Sequence, residues 1–414
     1  MAKAVVFTLG CKVNEVESAS LVSGLLERGY EVSDKLGYAD LYILNTCAVT
    51  GEAEKKSRQL ITRAKKYNPN AKIVVCGCAA EKNAEAFLSR EGVTLVSGAR
   101  RKSKILQQLD EEGAYIDGYD KAYDEMPLPA AVKTRHFVKI QDGCNNFCTY
   151  CIVPYLRGRS RSRSLESVVN EVKGVNAEET VLTGIDISSY NDGGKDLADL
   201  LLALKDMPTR VRLGSLEVGV ITERLLKAAA TMSDFAPHFH LSLQSGATAV
   251  LKKMNRRYTR EEYIEKCKLI YRFFPDAAIT TDIIAGFPTE TEEDFADSLS
   301  IIEEVGFAQV HCFVYSPREG TVAAKWKQLP PQVKEERRAK LLQIAEAAKE
   351  RYIQKFLGKT LTFVPETFDG KYTYGYTENY IRAAVAGEIT RKTKIKLLPN
   401  ENSKEYNIGE VIYE

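Results

Sequence analysis

The strongest constraint on this chain is the alternation of short apolar runs with amphipathic stretches. In residues 1–109 the runs AVVFTLG, LYILNTC, IVVCGC and VTLVSG are separated by segments such as NEVESASLVSGLLERG, whose apolar residues recur at helical spacing. Strand-length runs joined by helix-length segments are βαβ units, and such units bury their apolar faces as a parallel sheet covered on both sides. The first third of the chain is therefore expected to be a doubly wound parallel α/β domain. From about residue 135 a second series begins, with FVKIQ, TVLTG, RVRLGS, FHLSLQS, AAITTDIIAG and AQVHCFVY. Six parallel βα units predict a partial (β/α)6 barrel, fewer than the eight of a closed one.

The 414 residues exceed what one core organises, so several domains are expected. Residues 110–126, DEEGAYIDGYDKAYDEM, carry seven acidic residues and one lysine and lead into PLP, which predicts a solvated linker. Pro330 and Pro331 open a charged helical stretch, QVKEERRAKLLQIAEAAKERYIQKF. After it LTFVPE, YTYGYTENYIRAAV, TKIKLLP and IGEVIYE are short β-prone runs that predict a small all-β barrel. The expected boundaries are 1–112, 130–354 and 355–414. With 58 basic and 56 acidic side chains, attraction to a polyanion has to come from local patches. The opening MAKAVVFTLGC has too short an apolar stretch for a signal peptide and no run approaches a membrane span, so a cytoplasmic protein with no membrane partner is expected. Nine cysteines suit a disulfide framework poorly, and in a reducing compartment grouped cysteines point to metal or catalysis.

The grouping is densest in DGCNNFCTYCIVPYLRGRSRSR, residues 142–163, where Cys144, Cys148 and Cys151 follow the first strand of the expected barrel. That is the mouth at which such folds keep their active sites. A structural zinc site needs four ligands, and the nearest further candidate, Cys78, lies in another domain. A four-iron cluster on three cysteines keeps one iron open for a small molecule. The CxxxCxxC spacing resembles that of the radical S-adenosylmethionine (SAM) enzymes, in which the open iron binds SAM. Other strands of the series end at Gly184, Glu217, Gln244 and Gly286, which would line the same rim, the glycines permitting close approach of the cofactor. Tyr150 resembles that family's aromatic beside the adenine. The competing expectation is that the glycines turn loops and Tyr150 packs.

Cys11, Cys47 and Cys78 each follow a predicted strand of the N-terminal domain, and strand ends of a doubly wound sheet share one edge where ligands gather. Buried cysteines commonly act as small hydrophobes, but three at corresponding strand ends favour a second three-thiolate site. Cys76, Cys267 and Cys312 occupy positions expected to pack.

These segments together are similar to the radical SAM methylthiotransferase family. TLGCKVNEVES, NTCAVT and GCAAE resemble its N-terminal cluster-binding segments. GCNNFCTYCIVPYLRGRSRSR, LQSGATAVLKKMNRRYT and GFPTETEEDF resemble its radical SAM domain. The tail, with GYTENYI, resembles the small RNA-binding barrel called TRAM. GCKVNE and QDGCNNFC are most similar to the branch acting on N6-threonylcarbamoyladenosine in tRNA. The resemblance implies a sulfur-transferring enzyme that converts this nucleoside, next to the anticodon, to its 2-methylthio derivative. It implies two [4Fe-4S] clusters, SAM, the tRNA anticodon loop as partner, and an electron donor such as flavodoxin or ferredoxin. The alternatives are the isopentenyladenosine or ribosomal-protein branch, or a non-catalytic iron–sulfur RNA-binding protein. Thr289, where the family usually has glycine, and Val218 and Ser242, where proline is common, depart from the pattern without removing a ligand.

Arg157, Arg159, Arg161 and Arg163 follow the cysteine loop as a cationic strip. Beside the expected active-site mouth they are predicted to contact RNA phosphates, in preference to forming an ordinary solvated loop. Six tyrosines beyond residue 355 are candidates for stacking on unpaired bases.

Overall fold

The structure, a computed structural model, describes residues 1–48, 51–116, 118, 122–129, 134–403 and 405–412. The expected boundary at residue 130, parts of the acidic linker and the last two residues lie outside them. The N-terminal strands are β1 (Lys3–Thr8), β2 (Glu31–Ser33), β3 (Leu41–Thr46), β4 (Lys72–Gly77), β5 (Val93–Ser97) and β6 (Gly113–Tyr115), all parallel in the order β2-β1-β3-β4-β5-β6. Successive residues of one strand enter different cores, because side chains alternate across a sheet. Val5, Tyr42, Leu44, Ile73 and Val75 pack with Leu60 and Ile61 of the helix Gly51–Tyr67. Ala4, Val6, Leu41, Ile43 and Val74 pack with Leu21 and Leu25 of the helix Lys12–Glu27. This is the doubly wound arrangement that unbroken apolar runs require.

The second series forms β7 (Arg135–Asp142), β8 (Arg161–Ser162), β9 (Glu179–Gly184), β10 (Arg210–Leu213), β11 (Ser215–Leu216), β12 (His238–Leu241), β13 (Ala278–Ala285) and β14 (Gln309–Val314). Two sheets result, β10-β9-β7-β8 and β11-β12-β13-β14. The RVRLGS run is broken at Gly214 and hands the chain from one sheet to the other, so the six runs give seven parallel strands in an incomplete barrel. Phe239, Leu241, Ile279, Ile283 and Val310 face outward onto helical residues such as Leu201, Tyr263 and Ile302. Their sequence neighbours therefore face the barrel interior.

The tail strands β15 (Thr360–Phe368), β16 (Tyr372–Thr377), β17 (Arg382–Ala386), β18 (Thr393–Leu398) and β19 (Asn407–Val411) close a barrel in the order β15-β16-β17-β19-β18. This barrel caps the end of the larger one opposite the cysteine loop. Tyr380 stacks on His238 with ring centroids 4.1 Å apart, and Arg212 joins Glu179 at 2.7 Å to the Thr377 carbonyl at 3.3 Å. The acidic segment differs from a solvated linker. Gly113–Tyr115 adds an edge strand, and Tyr123 donates its hydroxyl to the Lys139 carbonyl at 2.9 Å, since the β5 edge and the flank of β7 leave backbone groups to be satisfied. Among the described residues no helix is long and apolar enough to cross a membrane.

Candidate iron–sulfur and SAM site

The loop after β7 is tightly wound, and its residues explain why. Gly143 has φ +71°, and a Cβ there would lie 2.0 Å from the Arg159 carbonyl, so only glycine fits. The Gln141 side chain donates to the carbonyls of Asp142 (2.9 Å) and Gly143 (2.7 Å) and accepts from the Asp186 amide (2.7 Å), tying the loop to the end of β9. Phe147 is held at φ +47° while Asn255 donates to the carbonyls of Asn146 and Phe147. Cys144, Cys148 and Cys151 thus share one curved segment.

Donors point at the sulfurs. The Asn146 amide lies 3.4 Å from Cys144 Sγ, and Arg256 Nη1 lies 3.5 Å from Cys148 Sγ. Burial pushes the Cys144 and Cys151 thiols up to about 12, and the neighbouring sulfurs add to the rise. Thiols raised in this way become thiolates only against strong positive charge, which a metal centre provides. Soft sulfur donors on one loop, with N–H groups aimed at them, fit a three-cysteine [4Fe-4S] cluster.

Cys11, Cys47 and Cys78 follow β1, β3 and β4, adjacent strands whose ends lie side by side. A Cβ on Gly10 would lie 2.8 Å from Cys47 Sγ, and one on Gly77 would lie 2.5 Å from the Thr46 carbonyl. The backbone before Cys11 and Cys78 is thereby pressed against the segment carrying Cys47. Cys76 instead points into the apolar core, its thiol raised to about 11 by burial, and Cys267 is likewise buried among apolar residues.

The two cysteine sets face each other. Ile152 and Leu156, just after Cys151, enter the core of the N-terminal sheet. Between the sets lies a buried network. Glu17 accepts from Lys139 (2.7 Å), Arg157 (2.9 Å) and Lys102. Asp142 accepts from Lys139 (2.7 Å) and Arg157 (3.0 Å), with Arg161 at 3.6 Å. The Arg157 charge also opposes the rise that burial gives the Cys78 thiol. Four buried cations thus stand against two carboxylates. An excess of buried positive charge favours a nearby anion, and the groups flanking the network are the two cysteine sets. The sequence did not announce Glu17, Asp142 or Lys139, whose partners are far along the chain. Arg256 lay inside MNRRYT but without a role.

The arginine strip is not the exposed surface expected. Arg157, Arg161 and Arg163 are buried, the last paired with Glu171 and, at 3.0 Å, with Glu125. Their guanidinium groups lie buried against carboxylates and carbonyls, with Nε and Nη2 of Arg161 left without a hydrogen-bond partner, so none presents an edge to a phosphate at the surface. Arg159 is exposed and lies 4.5 Å over the Phe147 ring. In the tail, Tyr380 is sandwiched between His238 and Tyr376 rather than free to stack on a base.

At the rim, Glu217 pairs with Arg256 at 2.8 Å, and burial raises its carboxyl while Arg256 opposes the rise. Gln244 adopts φ +72° as its amide donates to the Asp282 carbonyl at 2.8 Å. Tyr150 packs edge-on against Phe287 at 6.4 Å. Gly184 is pressed on Gln141, where a Cβ would lie 2.9 Å from its carbonyl, and Gly286 on Lys334 at 2.5 Å. Both glycines therefore have packing reasons of their own.

Residues 138–302 match the profile of the radical SAM superfamily, and residues 3–98 that of "Uncharacterized protein family UPF0004". The fold and the three-cysteine loop are those of a radical SAM enzyme, a class that implies a [4Fe-4S] cluster and SAM. Over its full length the chain is 36% identical to the threonylcarbamoyladenosine tRNA methylthiotransferase MtaB of Bacillus subtilis, spanning 97% of that protein. It is 37% identical to MtaB of Chlamydia pneumoniae, over 98% of this chain and 97% of that one. A tRNA-2-methylthio-N(6)-dimethylallyladenosine synthase of Acetivibrio thermocellus is 35% identical over 87% of this chain and 79% of its own length. Among solved structures, the radical SAM methyltransferase TsrM from Kitasatospora setae shares the fold, with a TM-score of 0.59 at 15% identity, covering 78% of this chain and 77% of that one. The chain belongs to the MtaB family of radical SAM methylthiotransferases.

Proposed function

We propose that the chain converts N6-threonylcarbamoyladenosine, next to the anticodon of tRNA, to its 2-methylthio derivative. The observation that carries this is the pair of facing three-cysteine sets joined by the buried network around Arg157. In this proposal Cys144, Cys148 and Cys151 hold a SAM-binding cluster, and Cys11, Cys47 and Cys78 hold a second [4Fe-4S] cluster. With SAM bound, such a cluster supplies one-electron chemistry at a C–H bond that offers neither an acidic proton nor a leaving group. The chain's own part is to hold and orient. Asn146 and Arg256 donate to the sulfurs, and the Arg256–Glu217 pair, with Tyr150, Gly184, Gln244 and Gly286, lines the SAM subsite. Arg157 places its positive charge beside Cys78.

The expected division is a second-cluster domain over 1–112, a radical SAM domain over 130–354 and a TRAM-like RNA-binding domain over 355–414. Exposed Arg159 beside Phe147 is the remaining phosphate contact of the strip. A cytoplasmic setting and a flavodoxin- or ferredoxin-like electron donor complete the proposal. Nucleoside mass spectrometry of tRNA from a strain lacking the gene tests it. The 2-methylthio derivative of threonylcarbamoyladenosine should vanish and return on complementation, and its persistence would refute the proposal.

A further inference from the structure

Relatives named for a polar and for an apolar N6 substituent are nearly equally similar to this chain, at 36% and 35% identity. The barrel interior bears on that difference. His240, Asp282 and His311 lie on the adjacent strands β12, β13 and β14, facing away from the helical layer, and their ligand-capable atoms lie within 4.8 Å of one another. His240 Nε2 is 3.3 Å from Asp282 Oδ2, and its Nδ1 is 3.0 Å from Thr280 Oγ1. Thr280 Oγ1 is in turn 3.0 Å from Nε2 of buried His238.

The hydrogens along this row have a preferred order. Nδ1 of His238 is buried without a partner, which costs less for a bare acceptor than for an orphaned N–H. His238 Nε2–H then donates to Thr280, Thr280 donates to His240 Nδ1, and His240 Nε2–H donates to Asp282. Among the described residues nothing hydrogen-bonds the exposed ring of His311, and Asp282 keeps a second carboxylate oxygen. The row lies close beneath the cysteine loop. Arg256, which touches Cys148, also donates at 2.7 Å to the carbonyl of Ser242, two residues beyond His240.

Resting on the function proposed above, we infer that His240, Asp282 and His311 recognise the N6 substituent and select a polar one. A threonylcarbamoyl group offers N–H and hydroxyl donors to Asp282 and a carboxylate to an imidazole N–H of His311. A dimethylallyl group would strip water from both side chains and return no hydrogen bond. A site built to hydrogen-bond a polar substrate group rejects an apolar analogue far more strongly than an apolar pocket rejects a polar one.

The test uses reconstituted holoenzyme and two tRNAs differing only at the N6 position, threonylcarbamoyl in one and dimethylallyl in the other. Wild-type enzyme should prefer the first. His311→Phe and Asp282→Asn should each lower kcat/KM on it by about 10- to 100-fold, largely through KM, and narrow the ratio between the two substrates. His311→Asn, which keeps a donor, should recover part of the ratio, a result that mere loss of packing would not produce. Iron content and cluster absorbance should match wild type. Variants with an unaltered ratio would overturn this inference alone. So would one equivalent of zinc or manganese that is present in wild type and lost in the variants, because the three residues would then be metal ligands. A wild-type enzyme inactive on the threonylcarbamoylated tRNA would overturn the proposed function, and this inference with it.

Discussion

Glu17→Gln is the most demanding test of the network between the two cysteine sets. The Glu17 carboxylate is 1% exposed and accepts from Lys139, Arg157 and Lys102. Burial alone would raise its pKa, yet Arg157, Lys102 and Lys139 together hold it well below the usual carboxylate range. A glutamine keeps the shape and one acceptor but removes the charge, leaving those cations with Asp142 as their carboxylate. Breaking one side of a buried ion pair costs about 3–5 kcal/mol, because the partner charge stays buried without compensation. A urea slope of about 1–3 kcal/mol per molar turns that into a midpoint lower by roughly 1–5 M for the transition that includes the N-terminal sheet. Lys102→Met should cost less, since cations outnumber carboxylates and Glu17 retains Lys139 and Arg157. Urea titrations of both variants at neutral pH, followed by circular dichroism, measure the difference. Equal losses, or a Glu17→Gln loss below about 1 kcal/mol, would mean that water reaches the junction and that the charge imbalance is not felt.

Replacing Cys144, Cys148 and Cys151 together by alanine should leave about half the iron of a two-cluster protein and abolish SAM cleavage, and full iron content in that variant would refute the ligand assignment. Gly143→Ala, with φ +71° and a Cβ 2.0 Å from the Arg159 carbonyl, should lower iron content by distorting the loop, as an iron assay would report. The Glu179 carboxyl is held at about 2 although burial alone would raise it, because Arg212 and Arg135 outweigh that burial. Its contribution, about 3 kcal/mol for a shift from 4.5 to about 2, is complete above pH 4.5 and lost as pH falls towards 2. Glu179→Gln should therefore flatten the fall of the urea midpoint between pH 6 and pH 3. Arg159→Gln should reduce the log–log salt slope of tRNA binding by about 0.7–0.9, one phosphate contact, in filter-binding titrations.

Much of the fold was legible because periodicity is local. The four runs of the first domain and the six of the second each became a strand, and only RVRLGS was divided, at Gly214. Divergence came where non-local pairing decides. DEEGAYIDGYDKAYDEM is acidic enough to stay in water, yet GAY completes the edge of β5 and Tyr123 finds a carbonyl on β7. Neither partner is visible in a window around the segment. The cysteine positions were equally local, since each follows a strand and the strand order brings three ends together. The row His240, Asp282 and His311 was missed because its members are single residues on three different strands. Only the sheet register makes them neighbours.

The arginine strip fails as a sequence signal for a physical reason. In GRSRSR every charge is a cation, so nothing nearby offers a partner and the run looks solvated. Its partners come from afar. Glu17 lies 140 positions from Arg157, and Asp142 belongs to the preceding strand. Gly158, at φ +76°, turns the chain back so that Arg161 pairs beside Asp142 in β8 while Arg159 is left at the outer bend. One run thus splits into buried and exposed members according to its turn. Arginine suits the buried positions better than lysine, because the planar fork of Arg157 serves Glu17, Asp142 and Asn14 at once. The strip beside the three thiols is therefore committed chiefly within the protein, as a positive floor between the two cysteine sets, and only Arg159 stays at the surface.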